Sequence, residues 1–265
     1  MSSLYVAQPG DGCVWITGAS SGIGRALALS FARDGWTIAA TARSSDKLHS
    51  LSEDAQALPG TIHAYVGDVT QCEDMASLVE HIGRDIGPIA LLVANAGVYL
   101  PQDGLAGDLK AWQQTIDVNL SGTVNVVLPV IAAMQTAGQG QIAIVSSVAG
   151  YRGLPTSAAY GATKAALINM AEALKFDLDR VGLRIQVINP GFVDTPATAD
   201  NPFPMPHLIS VEEAAGEIRK GLVHPSAFEI AFPKAFVRQL KLLRILPYWL
   251  YFKLISKSTG WSKKT

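Results

Sequence analysis

The chain is poor in several of the features that mark whole classes of protein. Only two of its 265 residues are cysteine, Cys13 and Cys72, without the spacing of a zinc site or a disulfide framework, which points to a reducing compartment. Charged residues make up just 16% against 49% hydrophobic, a balance that excludes a disordered chain and fits a compact cytoplasmic one. The first ten residues lack both a basic region and an apolar stretch, so export is not indicated. No charged residue falls between Val118 and Tyr151, yet Asn119, Asn125, Gln135, Gln139 and Gln141 make that stretch too polar for a bilayer span. A buried helix followed by a buried strand is expected there. His49, His63, His81, His207 and His224 form no cluster with metal-ligand spacing, and no metal is expected. Acidic residues are missing altogether after Glu229. Eight lysines and arginines lie in that tail, leaving 13 of the 21 basic residues against all 22 acids in the preceding body, which is about nine charges negative. A nucleic-acid role would need basic residues on the folded body, so that class is excluded.

What is present is a repeating pattern. Short apolar runs end at turns and alternate with helical periodicity. Strands are expected at 12–17, 36–42, 61–66, 89–94, 141–146, 183–189 and 227–232. Helices are expected at 22–34, 46–58, 73–86, 109–136, 157–180 and 212–222. Such alternation implies an α/β fold, a single-domain parallel sheet of about seven strands with helices on both faces. The segment 191–210 is broken by Pro196, Pro202, Pro204 and Pro206 and reads as a loop over a site.

Three motifs carry chemistry. Thr17-Gly-Ala-Ser-Ser-Gly-Ile-Gly joins the first strand to the first helix, where glycines allow close backbone approach and the helix N-terminus presents unpaired N–H groups to a pyrophosphate. The spacing of Gly18, Gly22 and Gly24 departs from G-x-G-x-x-G. The second strand ends Ala40-Thr41-Ala42-Arg43-Ser44, with no carboxylate to bind a ribose 2′-hydroxyl, while Arg43 offers a planar fork to a 2′-phosphate; NADP(H) is expected over NAD(H). Finally, of seven tyrosines only Tyr160 has a lysine four residues later, Lys164. Helical spacing puts both on one face, where an ammonium favours the phenolate and makes the hydroxyl a usable acid or base.

With Asn95-Ala96-Gly97 after the fourth strand, Asn119 in the long helix, Ser147 thirteen residues before Tyr160 and Pro190-Gly191-Phe-Val-Asp-Thr195 after the sixth strand, the chain resembles the short-chain dehydrogenase/reductase family from about Gly12 to Phe232. The resemblance implies a Rossmann-type doubly wound sheet and an oxidoreductase acting on a small-molecule carbonyl or alcohol. It implies Tyr160 as general acid or base, Ser147 as hydrogen-bond partner of the substrate oxygen, Lys164 as the group that lowers the Tyr160 pKa and holds the nicotinamide ribose, and Asn119 as keeper of an ordered water. Gly18, Ser20, Ser21, Gly22, Ile23 and Gly24 would line the phosphates, with Arg43 and Ser44 beyond them. Asp68 and Val69 would hold the adenine, Asn95, Ala96 and Gly97 the adenosine side, and Pro190, Gly191, Val193 and Thr195 the nicotinamide end. Ser146 rivals Ser147, since strand alternation points the two to opposite faces; the family spacing favours Ser147. Asp68 reads equally as a turn residue.

Residues 1–232 are expected to form the catalytic domain, with 191–210 as lid, and 233–265 a basic, apolar extension. The extension suits a helix lying in a membrane interface, and equally one packed on a partner subunit or on its own substrate cleft. Family membership implies a homodimer or homotetramer built through the two long helices. Tyr151, Leu154, Phe192, Phe203, Met205 and Leu208 are candidates for an apolar substrate pocket, which favours a lipophilic substrate. A 3-oxoacyl carrier-protein reductase is the rival enzyme, and a non-catalytic NADPH-binding regulator the rival of another class. The intact Ser147, Tyr160 and Lys164 speak against the regulator.

Overall fold

A computed structural model of the chain describes residues 5–199, 201 and 204–261. Seven parallel strands form one sheet in the order β3-β2-β1-β4-β5-β6-β7. They are β1 (Cys13–Thr17), β2 (Thr37–Ala42), β3 (Thr61–Val66), β4 (Ile89–Ala94), β5 (Gln141–Val145), β6 (Arg184–Pro190) and β7 (Glu229–Phe232). Parallel strands need crossover connections, and the crossovers here are helices that cover both faces. Alternation along each strand divides the core in two. Val14 and Ile16 of β1 face α1 (Gly22–Arg33), α2 (Ser45–Asp54) and α7 (Val211–Val223), whereas Cys13 and Trp15 face α3 (Cys72–Asp85), α5 (Gly122–Ala137) and α6 (Ala158–Arg180). The edge strand β3 departs from the expectation of two covered faces, since its residues are exposed or half-buried throughout.

The helix expected at 109–136 is not uniform. It runs as α4 (Leu109–Ile116), a π turn at Asp117–Ser121 and then α5. This run is long and apolar enough to cross a membrane by length and composition, but Val126, Val127, Val130 and Met134 of α5 are buried under the sheet. The π turn holds Asn119, which is fully buried, and such wide turns concentrate at functional sites. Within 191–210 the described residues form turns and an isolated bridge between Val193 and Ile209, with no helix.

Beyond β7 the chain forms two further helices, α8 (Lys234–Arg244) and α9 (Tyr248–Thr259), separated by a turn at Pro247. Two groups fasten α8 to the body. Phe236 and Val237 join the core, and Lys241 forms an ion pair with Glu229 of β7. Burial works against the Glu229 carboxylate, yet hydrogen bonds from Lys241, Tyr151 and Asn189 hold its pKa below the ordinary value.

Trp15 is the largest fully buried side chain, and its indole Nε1 donates to Thr41 Oγ1 across the β1–β2 pair at 2.9 Å. Thr41→Val keeps the shape and removes the acceptor, stranding a buried N–H. A loss of about 1–3 kcal/mol in urea unfolding is expected, without change in fold by circular dichroism.

Candidate active site

In this strand order the connections leave β1 and β4 in opposite directions, which opens a crevice at their C-terminal ends. The glycine turn and the Asn95–Gly97 segment meet there. Thr17, the last residue of β1, accepts hydrogen bonds at Oγ1 from the backbone N–H of Asn95 and of Ala96, each at 3.1 Å. Asn95 in turn donates through Nδ2 to Thr17 O and Gly18 O. The packing requires glycine at two points. Gly18 has φ +66° and a Cβ there would lie 2.8 Å from the Ala96 Cα; one on Gly24 would lie 2.4 Å from Gly18 O.

From this crevice a cavity of about 870 Å³ extends over the C-terminal edge of the sheet. Its wall includes Gly18, Ser20, Ser21, Gly22, Ile23, Arg43, Asp68, Val69, Asn95, Ala96 and Gly97 at one side. Ser147, Tyr160, Lys164, Pro190, Gly191, Phe192, Val193 and Thr195 line the other. Asp68 serves its turn as well, accepting at Oδ1 from Thr70 N and Thr70 Oγ1. Gly24 and Ser44 lie outside the wall. Gly24 packs the first helix against the turn, and Ser44 caps α2 by accepting from Lys47 N.

At the far end α6 and β5 bring the reactive groups together. Tyr160 and Lys164 share a helix face, with Lys164 Nζ 5.6 Å from the Tyr160 ring centroid. Ser147 hydrogen-bonds the Tyr160 hydroxyl, and its Oγ also accepts from Ala149 N at 3.1 Å. Ser146 points elsewhere, donating to Lys164 O at 2.7 Å, so the two serines divide into a group facing the phenol and a structural clasp. Asn119 stands behind the wall. Its Oδ1 accepts from Val98 N at 2.7 Å and its Nδ2 donates to Val98 O at 2.9 Å, which fixes the backbone just after Gly97. Its Oδ1 lies 3.2 Å from an ideal Cβ on Gly97, and Lys164 Nζ lies 3.5 Å from the same point.

The electrostatics differ from the sequence expectation. Burial dominates both groups, pushing the Tyr160 phenol up to about 12 despite the Ser147 hydrogen bond, and the Lys164 ammonium down to about 8. Lys164 is 3% exposed and donates to Val145 O at 2.9 Å, not to the phenol. The neighbouring cation therefore does not by itself make a phenolate; Tyr160, half-buried on the cavity wall, is held as the protonated phenol.

Several pocket residues need correction. Tyr151 does not line this cavity: the short 3₁₀ turn at Val148–Gly150 breaks the strand alternation and sends its hydroxyl to Glu229. Burial first, then Glu229, raises its pKa. Met205 and Leu208 are not part of the wall either, and Phe203 lies outside the described residues. Leu154 and Phe192 do line it. Sequence reasoning missed Tyr99, whose ring meets that of Tyr160 edge-on at 4.8 Å between centroids, and it left packing on the cleft as one of several arrangements open to the C-terminal extension. Phe236, Leu240 and Leu243 of α8, with Ile255 of α9 and Trp261 after it, close one side of the cavity. The position of Tyr99 two residues after Gly97 was the available signal for the first. Arg152 secures these helices, donating from Nη1 to the carbonyls of Leu243, Arg244 and Leu246 while its guanidinium lies over the Tyr248 and Tyr251 rings.

The cavity fits a nicotinamide dinucleotide on its own terms. The glycine cradle leaves room where a Cβ would intrude, and Ser21, at the N-cap of α1, makes no side-chain cap, leaving the first-turn N–H groups to a phosphate. The sequence profile of the short chain dehydrogenase family matches residues 12–203, and the chain belongs to that family of NAD(P)(H)-using oxidoreductases that act on small molecules. An uncharacterized oxidoreductase of Myxococcus xanthus is 36% identical over 236 residues, covering 89% of this chain and 93% of that one. The 3-oxoacyl-[acyl-carrier-protein] reductase FabG of Thermotoga maritima is 39% identical over 189 residues, covering 71% and 76%. Among solved structures, an alcohol dehydrogenase of the archaeon Thermococcus sibiricus complexed with 5-hydroxy-NADP superposes with a TM-score of 0.75 at 26% identity, covering 83% and 95%.

Asn119→Ala removes both hydrogen bonds to the half-buried Val98 backbone. We expect a stability loss of about 1–3 kcal/mol in denaturant titration, two hydrogen bonds at about 0.5–1.5 kcal/mol each; a loss below about 0.5 kcal/mol would show that Val98 finds other partners.

Proposed function

We propose that the protein is an NADP(H)-dependent oxidoreductase that interconverts a lipophilic carbonyl compound and its secondary alcohol, with Tyr160 as the proton-transfer group. The observation that carries this reading is the convergence of Ser147, Tyr160 and Lys164 at one end of a cavity whose other end is a glycine cradle. The bound dinucleotide supplies or accepts hydride at nicotinamide C4. The protein's part in reduction is to hold the carbonyl oxygen between Ser147 Oγ and the Tyr160 hydroxyl and to give up the phenolic proton as negative charge develops there. A phenol held near 12 is protonated at every physiological pH, so it stands ready as an acid. Lys164 would hold the ribose hydroxyls of a bound dinucleotide and supply positive charge to the phenolate as it forms, and Asn119 fixes the backbone that backs this corner.

The preference for NADP(H) rests on Arg43, which is exposed on the cavity wall and forms no ion pair among the described residues, at the end of a β2 that lacks a carboxylate. The dinucleotide in the Thermococcus sibiricus complex supports it. The apolar part of the wall, Leu154, Phe192, Phe236, Leu240, Leu243 and Ile255, supports a lipophilic substrate. We assign catalysis to residues 1–232 with 191–210 as lid, the cover to 233–265, the location to the cytoplasm or the edge of a membrane, and assembly to pairing of the long helices, whose Leu128 and Phe176 are exposed. Reduction of a 3-oxoacyl thioester is the second reading, supported by the Thermotoga maritima relative.

Three measurements test this. Tyr160→Phe is expected to cut turnover about 10²–10⁴-fold while NADPH still binds, by analogy with the loss of a positioned acid; retained turnover would remove Tyr160 from the mechanism. NADPH is expected to bind more tightly than NADH, with the difference lost in Arg43→Ala, and tighter binding of NADH would overturn the cofactor assignment. In a pH series, kcat/KM for the dinucleotide reports the free enzyme. Since burial lowers Lys164 to about 8, the protonated form prevails below that pH and is lost above it, so kcat/KM is expected to be level near pH 6–7 and to fall beyond about pH 8.

A further inference from the structure

The two C-terminal helices have two apolar faces, and only one is used by the fold. The inner face, with Phe236, Leu243 and Ile255, closes the cavity. The outer face is largely exposed, with Arg152 against one side of the Tyr248 ring. Among the described residues, eight large hydrophobic side chains are more than 60% exposed, and five of them fall between Leu242 and Phe252: Leu242, Ile245, Tyr248, Trp249 and Phe252. Isolated exposed hydrophobics need no explanation, but a contiguous group does. Helical spacing aligns Leu242 of α8 with Ile245, the residue that caps its C-terminus, and Tyr248 with Phe252 on α9, whose rings stack at 6.0 Å. Trp249 and Lys253, four residues apart, share the neighbouring stripe.

The charge around this face is of one sign. The chain has no carboxylate side chain after Glu229, and Arg238, Arg244, Lys253 and Lys257 form no ion pair among the described residues; Lys241 is taken by Glu229. A second copy of the chain in two-fold contact here would set these cations against each other. An acidic soluble partner would satisfy the charges without using the rings. Anionic lipid satisfies both, since tryptophan and tyrosine settle at headgroup depth and lysines pair with phosphates.

We propose that the outer face of α8 and α9 docks on an anionic lipid bilayer, so that the cover of the active-site cavity is also its membrane anchor. The length of α9 is about 18 Å at 1.5 Å per residue, and its last turn lines the cavity while its first turn carries the exposed rings. A lipophilic substrate dissolved in the bilayer then reaches the cavity wall along one helix. This last step rests on the substrate class proposed above; the docking itself does not.

The test is flotation of the full chain with vesicles of phosphatidylcholine and phosphatidylglycerol, compared with phosphatidylcholine alone. Binding is expected to the anionic vesicles, weakening as salt rises. Trp249→Ser/Phe252→Ser and, separately, Lys253→Gln/Lys257→Gln are each expected to reduce it at least tenfold, while turnover of a small water-soluble ketone stays at the level of the unaltered protein. These positions lie outside the cavity wall, so loss of vesicle binding with turnover intact separates docking from catalysis, and vesicle binding is read even if no ketone is turned over. A full chain that stays with the soluble fraction overturns the proposal. So does a ring variant that floats undiminished while the lysine variant does not, which would assign the face to an acidic protein, and so does a ring variant that converts a dimer to a monomer in light scattering while floating undiminished.

Discussion

The site depends on one constraint, the burial of a lysine in a wall that offers it little solvent and one backbone carbonyl. Lys164 reaches Val145 O through its ammonium, and its own carbonyl accepts from Ser146, so β5 and α6 are clasped at the same residue from both ends. Gly150 completes the clasp, since a Cβ there would lie 2.7 Å from the Lys164 carbonyl carbon. With α6 fixed this closely on β5, Tyr160 is held on the same cavity wall as Ser147. Low dielectric then sets the protonation of both groups more strongly than either sets the other. The desolvation that depresses the ammonium also strengthens its field on any charge that forms at the phenol during reaction.

Much of this was legible in the sequence because parallel strands and their crossover helices announce themselves locally. The β3 and β4 ranges are those expected, and the other strands differ by one or two residues, since an apolar run bounded by turn residues has few alternative readings. Position along the chain also placed the glycine turn, Asn95 and Ser147 at the C-terminal edge of the sheet, where a doubly wound fold must open. What stayed hidden was set by tertiary packing. Nothing between Asp117 and Ser121 distinguishes a π turn from an α turn. The departure coincides with Asn119, whose side chain bonds the Val98 backbone. Tyr151 and Leu154 are three residues apart, yet only Leu154 meets the cavity, because a short 3₁₀ turn reorients the chain between Ser147 and Tyr151.

The C-terminal segment illustrates a further limit of pattern reading. Its mixture of large apolar residues and cations supported several arrangements, because a helix apolar on two sides gives no preference from periodicity alone. Pro247 splits it into two helices, and the split decides which apolar side chains turn inward. Packing on the cleft and exposure to a second surface are then compatible, since they use opposite sides of the same helices.

Arg152 has a consequence for how such a cover can change over time. Three main-chain oxygens around the α8–α9 turn converge on its guanidinium, and the rings of Tyr248 and Tyr251 lie beneath it. Main-chain oxygens are the same whatever side chains surround them. The segment between Leu243 and Leu246 is thus gripped without reference to its amino-acid identities, and the inward side chains nearby are free to diversify. A scaffold built this way keeps its frame while exchanging its selectivity.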